Sequence, residues 1–136
     1  MKRYVLDSYA MIAYFEDEPG ADRVEEILSQ LTQGEAKGYI SVVNWGEVYY
    51  NIMREAGAVE AEKAICQLDK YPIQIIEANR NLAYEAAKLK GHYRIAYADC
   101  FAVALTVKLK AFLVTGDPEF RKLKERIPIQ WIQSSR

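Results

Sequence analysis

Two hydrophobic rhythms alternate along the chain. Short, largely apolar runs from Arg3 to Leu6, Tyr39 to Val43, Ile73 to Ile76, Ala111 to Val114 and Ile129 to Ile132 read as strands. Between them lie segments of helical period. Ser8 can cap a short helix through Phe15, and Asp17 to Gly20 break it. Val24, Ile27, Leu28 and Leu31 then share one face of a second helix. Asn44 is expected to open a third, with Trp45, Val48, Tyr49 and Ile52 on one side and Gly57 closing it. Val59, Ala61, Ile65 and Leu68 mark a fourth helix, and Leu82, Ala86 and Leu89 a fifth that ends at Gly91. The stretch from Ala98 to Lys110 is apolar almost all round, as a helix buried against a sheet must be. A short helix from Glu119 precedes the last strand. This β/α alternation predicts a three-layer α/β/α domain around a mainly parallel central sheet.

At 136 residues, with 51% hydrophobic and 27% charged positions and no linker or repeat, the sequence reads as one domain from 1 to 136. No apolar run approaches the roughly 20 residues of a membrane helix, so no membrane contact is expected. The first apolar stretch is too short, and too interrupted by Asp7, Glu16 and Asp17, for a signal peptide. The expected location is the cytoplasm. Net charge is only −1, but residues 1 to 68 hold 6 Lys/Arg against 12 Asp/Glu, and residues 69 to 136 hold 12 against 7. In the basic half, Lys88, Lys90, Arg94, Arg121 and Lys122 are the candidates for neutralising phosphates of a bound nucleic acid, with Lys108, Lys110, Lys124 and Arg126 nearby in sequence. Solvated helix faces give the same pattern.

Four acids change the picture. Asp7 and Asp117 each stand just past a strand end, the second inside the turn signal Thr115-Gly116-Asp117-Pro118, while Glu47 and Asp99 are expected in the first turns of two helices. In an open α/β sheet, ligands collect beyond the carboxyl ends of the strands, so all four can face one crevice. Like charges about 4 Å apart repel by roughly 4 kcal/mol at an effective dielectric near 20. A cation offsets that repulsion, and an all-oxygen donor set suits Mg²⁺ or Mn²⁺. Ser8 and Thr115 beside the strand-end aspartates can orient carboxylates from a second layer.

Each acid also has a purely structural reading. Asn44-Trp45-Gly46-Glu47 has the form of a capping box, Asp99 favours a helix N-terminus, Asp117-Pro118 is a routine turn pair, and Asp7-Ser8 can be a cap. The functional argument lies in their joint placement. Other chemistries are poorly supplied. Cys66 and Cys100 form no C-x-x-C pair and read as buried reduced thiols, and the lone His92 beside Gly91 reads as a surface or C-cap residue. The glycines form neither a dinucleotide-binding nor a P-loop fingerprint. An aspartyl-phosphate enzyme is disfavoured because residue 9 is tyrosine, where such phosphatases carry a second aspartate. Among the ten tyrosines, Tyr9, Tyr14, Tyr49, Tyr50 and Tyr97 can be core residues or can stack on bases.

Val5-Leu6-Asp7-Ser8, Glu47, the run Tyr97-Ala98-Asp99-Cys100-Phe101-Ala102-Val103-Ala104 and the run Leu113-Val114-Thr115-Gly116-Asp117-Pro118-Glu119-Phe120 occur in this order over nearly the whole chain. As a set they resemble a PIN-domain ribonuclease, most closely the VapC-type toxins of toxin-antitoxin pairs. The resemblance implies a Mg²⁺- or Mn²⁺-dependent endoribonuclease with Asp7, Glu47, Asp99 and Asp117 as its catalytic acids. Asp7 and Asp99 would bind metal directly, Glu47 directly or through water, and Asp117 would position the attacking water or support a second ion. It further implies a structured RNA substrate such as tRNA or rRNA, a small cognate antitoxin, and a homodimer. Ala96 departs from the serine that family members often carry just upstream of the third acid. A PIN nuclease of RNA processing would use the same acids, and a non-catalytic RNA- or partner-binding domain would keep them only as an ion site. The helices over Ala21 to Leu31 and Trp45 to Ile52 offer faces for a dimer or antitoxin, or for the core.

Overall fold

Strand β1, Lys2–Leu6, sets the frame, because Tyr4, Val5 and Leu6 alternate between two apolar layers and are all buried. The computed structural model describes residues 1–133. After β1 come α1 (Ser8–Phe15), α2 (Ala21–Thr32), β2 (Ala36–Ser41), α3 (Val42–Ala56), α4 (Ala58–Lys70) and β3 (Ile73–Ile76). Then follow α5 (Arg80–His92), α6 (Tyr97–Leu109), β4 (Phe112–Thr115), a 3₁₀ segment (Pro118–Leu123) and β5 (Ile129–Trp131). The sheet order is β3-β2-β1-β4-β5, and every pair is parallel. The expected sheet, mainly parallel, is therefore wholly parallel among the described residues.

Tyr4 and Leu6 pack with α1, α2, α3 and α4 on one face of the sheet, through Met11, Ile27, Leu28, Val48, Ile52 and Leu68 among others. Val5 and Leu113 pack with α5 and α6 on the other, through Leu82, Phe101 and Leu105. These are the three predicted layers. Helix α6 runs against the sheet with Cys100 to Thr106 all buried, and the Thr106 hydroxyl is satisfied by donating to the Ala102 carbonyl at 2.8 Å.

The start of α3 differs from expectation. Strand β2 ends at Ser41, and Ser41 caps α3, its hydroxyl accepting from the Val43 amide at 3.2 Å. Val42 and Val43, β-branched residues that read as strand, form the first helical turn instead. Asn44 is thus inside the helix, and Glu47 lies in its second turn and not its first. The capping box expected over Asn44 to Glu47 does not form. Cys66 is exposed, since Ala61, Ala64, Ile65 and Leu68 make the buried stripe of α4 and residue 66 lies off it. Cys100 is buried as expected. Helix α5 runs one residue past Gly91, so His92 is its exposed last residue.

Candidate active site

Strand order reverses between β1 and β4: the chain passes from β1 to β2 on one side, and β4 returns to the other side of β1. At such a switch point the loops leaving two adjacent strands diverge and open a crevice. Leu6 pairs with Val114, so Asp7 and Thr115 leave the sheet at the same level. The Asp7 amide also donates to the Val114 carbonyl at 3.3 Å.

Asp7 is the N-cap of α1, its Oδ1 accepting from the Ala10 amide at 2.8 Å, and its side chain is only 1% exposed. Burial pushes its carboxyl up to about 8; the Thr115 hydroxyl and Ala10 amide pull it back, and the charges of Asp99 and Asp117 push it up further. Asp99, in the first turn of α6 and half-buried, rises to about 7 through burial and then the charges of Asp117, Glu47 and Glu119. These mutual influences mean that Asp7, Asp99, Asp117 and Glu47 share one region, as their sequence placement anticipated. Asp117 begins the 3₁₀ segment, its Oδ1 accepting from the Glu119 amide at 2.9 Å, while its own amide donates to the Thr115 hydroxyl at 3.1 Å.

Glu47 reaches this region from α3. Its Oε1 accepts from the Ser8 hydroxyl and from Asn44 Nδ2, each at 2.9 Å, and its Oε2 accepts from the Tyr50 hydroxyl at 3.4 Å. Ser8 therefore orients Glu47, not its sequence neighbour Asp7. Asn44 is fully buried and donates a second bond, at 3.2 Å, to the carbonyl of Ala98 beside Asp99. Two acceptors fix the orientation of its amide and tie the helix carrying Glu47 to the helix carrying Asp99. Sequence marks Tyr50 only as one of several tyrosines able to pack or stack, Asn44 only as a helix opener and Glu119 only as the start of a short helix, none of them as a partner of the acids. Their only local signals were the three-residue steps from Asn44 to Glu47 to Tyr50, and the closeness of Glu119 to Asp117.

The basic candidates divide. Lys122 Nζ donates to the Arg94 carbonyl at 2.9 Å and to Glu119 Oε2 at 3.0 Å, and Lys90 Nζ donates to the Ile95 carbonyl at 2.8 Å. These two lysines brace the loop that leads into α6. Arg94 and Arg121 are exposed beside them. Lys88 instead pairs with Glu85 at 3.1 Å and lies over the Tyr84 ring, on the outer side of α5.

Two carboxylates that hold protons to near or above neutrality, beside two further acids, pair with no cation among the described residues. Among the described residues no three Asp, Glu, His or Cys side chains converge tightly enough to cage an ion by themselves. An open, all-oxygen edge of one or two carboxylates fits Mg²⁺, which keeps several of its waters and takes other ligands from substrate phosphates.

A sequence model of the PIN domain matches residues 4–126. No curated protein matches the chain. Among solved structures, VapBC2 from Rickettsia felis, bound to a DNA fragment from its promoter, is similar with a TM-score of 0.75 at 15% identity, covering 94% of this chain and 97% of that one. VapBC-1 from nontypeable Haemophilus influenzae gives 0.69 at 20% identity over 96% and 98%. VapC20 of Mycobacterium tuberculosis, a sarcin-ricin loop cleaving toxin, gives 0.72 at 12% identity over 88% and 93%. At these identities the likeness is one of fold.

Proposed function

This chain belongs to the PIN-domain family, and from that premise we propose that it is a divalent-metal-dependent endoribonuclease, the toxin of a VapBC-type pair. The observation that carries the reading is the burial of Asp7 at the switch point under the charges of Asp99 and Asp117, with Asp99 in turn raised by burial and by Asp117 and Glu47. A lone structural cap does not require three more acids around it.

In this reading Asp7 and Asp99 would hold the ion, Glu47 would reach it directly or through water, and Asp117 would position the attacking water or support a second ion. A bound Mg²⁺ or Mn²⁺ supplies positive charge to the scissile phosphate and makes an attacking water more acidic. Thr115 and Ser8 hold the Asp7 and Glu47 carboxylates in place, and Asp117 positions the water. Hydrolysis breaks the bond from phosphorus to the 3′ oxygen, leaving a 5′ phosphate and a 3′ hydroxyl. Lys122, Arg94, Lys90 and Arg121 border the loop into α6 and are the cations we assign to RNA; Lys88 is the outlier of the set.

The fold shared with VapBC proteins supports a small antitoxin as partner, and the sarcin-ricin loop cleaved by VapC20 supports structured RNA, rRNA or tRNA, as substrate. A homodimer working in the cytoplasm completes the proposal. Among the described residues no helix is long and apolar enough to cross a membrane.

The test is to incubate purified protein with total RNA in Mg²⁺, Mn²⁺ or EDTA, alongside Asp7→Asn, and to sequence the new 5′ ends. Discrete cuts that need both the metal and Asp7 are expected. Cuts that persist in EDTA or in the variant exclude the assigned roles. RNA binding without cleavage favours a binding-only domain, and cutting confined to precursor transcripts favours RNA processing over toxicity.

A further inference from the structure

Glu47, Tyr50 and Arg54 lie at steps of three and four residues and so form one stripe along α3 that runs away from the acids. The rise from Glu47 to Tyr50 is about 4.5 Å along the axis. The Tyr50 hydroxyl donates a long hydrogen bond to Glu47 Oε2 at 3.4 Å, and the residue remains 43% exposed. The Arg54 guanidinium lies 5.0 Å from its ring centroid. Tyr84 and Tyr97 are also exposed, but Tyr84 sits under Lys88 on α5, and Tyr97 packs edge-on against Phe101 and points its hydroxyl at the Ala83 carbonyl. Among the described residues, Tyr50 alone joins an exposed ring to an acid of the site.

A half-exposed ring backed by a guanidinium, with only a long hydroxyl contact at its tip, loses little side-chain freedom when a base settles on it. Among the described residues Arg54 makes no ion pair, so its charge is free to meet a phosphate or extend the stack. Resting on the nuclease reading above, we propose that Tyr50, backed by Arg54, is a stacking platform for an unpaired nucleobase adjoining the phosphate at the acids. Base identity matters little to such a platform, since every base has a π face. It selects for an unstacked nucleotide, and so for loops and single strands over duplex.

The test measures binding, which is independent of turnover. Fluorescently labelled short oligoadenylate is titrated in Ca²⁺ with wild type, Tyr50→Leu and Tyr50→Phe, and the series is repeated with a single abasic nucleotide walked along the strand. Tyr50→Leu is expected to weaken binding roughly 5- to 100-fold, and Tyr50→Phe by less than about twofold. At one abasic position the wild type loses a similar factor, whereas Tyr50→Leu loses nothing further. Equal losses by both proteins at every position, an unchanged Kd for Tyr50→Leu, or no measurable binding by folded wild type would each overturn the platform. A pair that only supports the helix lowers Tm and leaves Kd alone, which also refutes it. Intact coupling without RNA cleavage faults the nuclease reading and leaves the platform standing.

Discussion

Helix α1 opens with Asp7 committed to the backbone, one carboxylate oxygen accepting from Ala10, whereas α6 opens at Ala96 with no side-chain cap and carries Asp99 inside its first turn. Both acids are raised in pKa by burial and by neighbouring acids, but their obligations differ. Asp7 is fully buried and holds up a helix end as well as facing the other acids. Asp99 is half-buried and caps no helix, so among the described residues its oxygens are not committed to the backbone. The difference teaches that removing a charge and removing a side chain are separate experiments at residue 7, and nearly the same experiment at residue 99.

The largest effect separating function from fold comes from isosteric neutralisation. Asp7→Asn and Asp99→Asn are each expected to cost more than about 100-fold in RNA cleavage, beyond the 10- to 100-fold typical of a supporting residue around a metal. Metal-free melting temperatures should hold or rise, because asparagine is itself a good cap and either change removes repulsion. A variant that cuts RNA at the wild-type rate would remove that residue from the site.

The comparison sharpens with Asp7→Ala. Loss of the cap is expected to cost about 0.5 to 2 kcal/mol relative to Asp7→Asn in urea denaturation, whereas Asp99→Ala and Asp99→Asn should agree closely. Equal stabilities for the two residue-7 variants would mean that the Ala10 hydrogen bond contributes nothing.

Next in size is the response to pH. The folded chain holds the Asp7 and Asp99 protons to about 8 and about 7, while the unfolded chain releases them near 4. Their contribution to stability is therefore fully present below about pH 4 and is lost as pH rises through those folded values. Thermal melts in EDTA should fall from pH 5 to 8. Added Mn²⁺ should raise Tm most at the alkaline end, where protons no longer compete for the carboxylates. A flat profile, with or without metal, would contradict the buried, mutually repelling pair.

The smallest effect tests the missing cap. Ala96 already has the extended backbone of an N-cap, with φ −60° and ψ 146°. Ala96→Ser should thus add about 0.5 to 1 kcal/mol of stability and leave cleavage within about twofold. A large change in cleavage would show that the uncapped amides of α6 take part in substrate contact.

Much of this was legible because the relevant signals are local. A strand end followed by Asp-Ser, or by Thr-Gly-Asp-Pro, is read from adjacent residues, and the convergence of Asp7 with Asp117 then follows from the parallel sheet. The apolar circumference of α6 announced its burial. The start of α3 was misread because Val42 and Val43 carry strand propensity and Asn44 resembles a cap, while the winning interaction, Ser41 to the Val43 amide, depends on where β2 leaves the sheet. Ser8 bonding Glu47 across 39 positions, and Asn44 bonding Ala98 across 54, have no sequence signal. The strand order, with β4 beside β1, likewise emerges only from long-range pairing.

Gly116 is buried between Tyr9 and Ile132, so closely that an added Cβ would lie 2.6 Å from the tyrosine ring and 3.0 Å from the isoleucine. Around it, the Ile132 amide donates to the Thr115 carbonyl at 3.1 Å and the Gln133 amide group to the Gly116 carbonyl at 3.3 Å. The loop that presents Asp117 is thus clamped against Tyr9 by Ile132 and Gln133, two residues translated after every one of the acids. Synthesis runs in one direction, so a growing chain on the ribosome already contains Asp7, Glu47, Asp99 and Asp117 before it contains the clamp that steadies the last of them. The order of manufacture delays the finished cluster of acids until Ile132 and Gln133 have emerged.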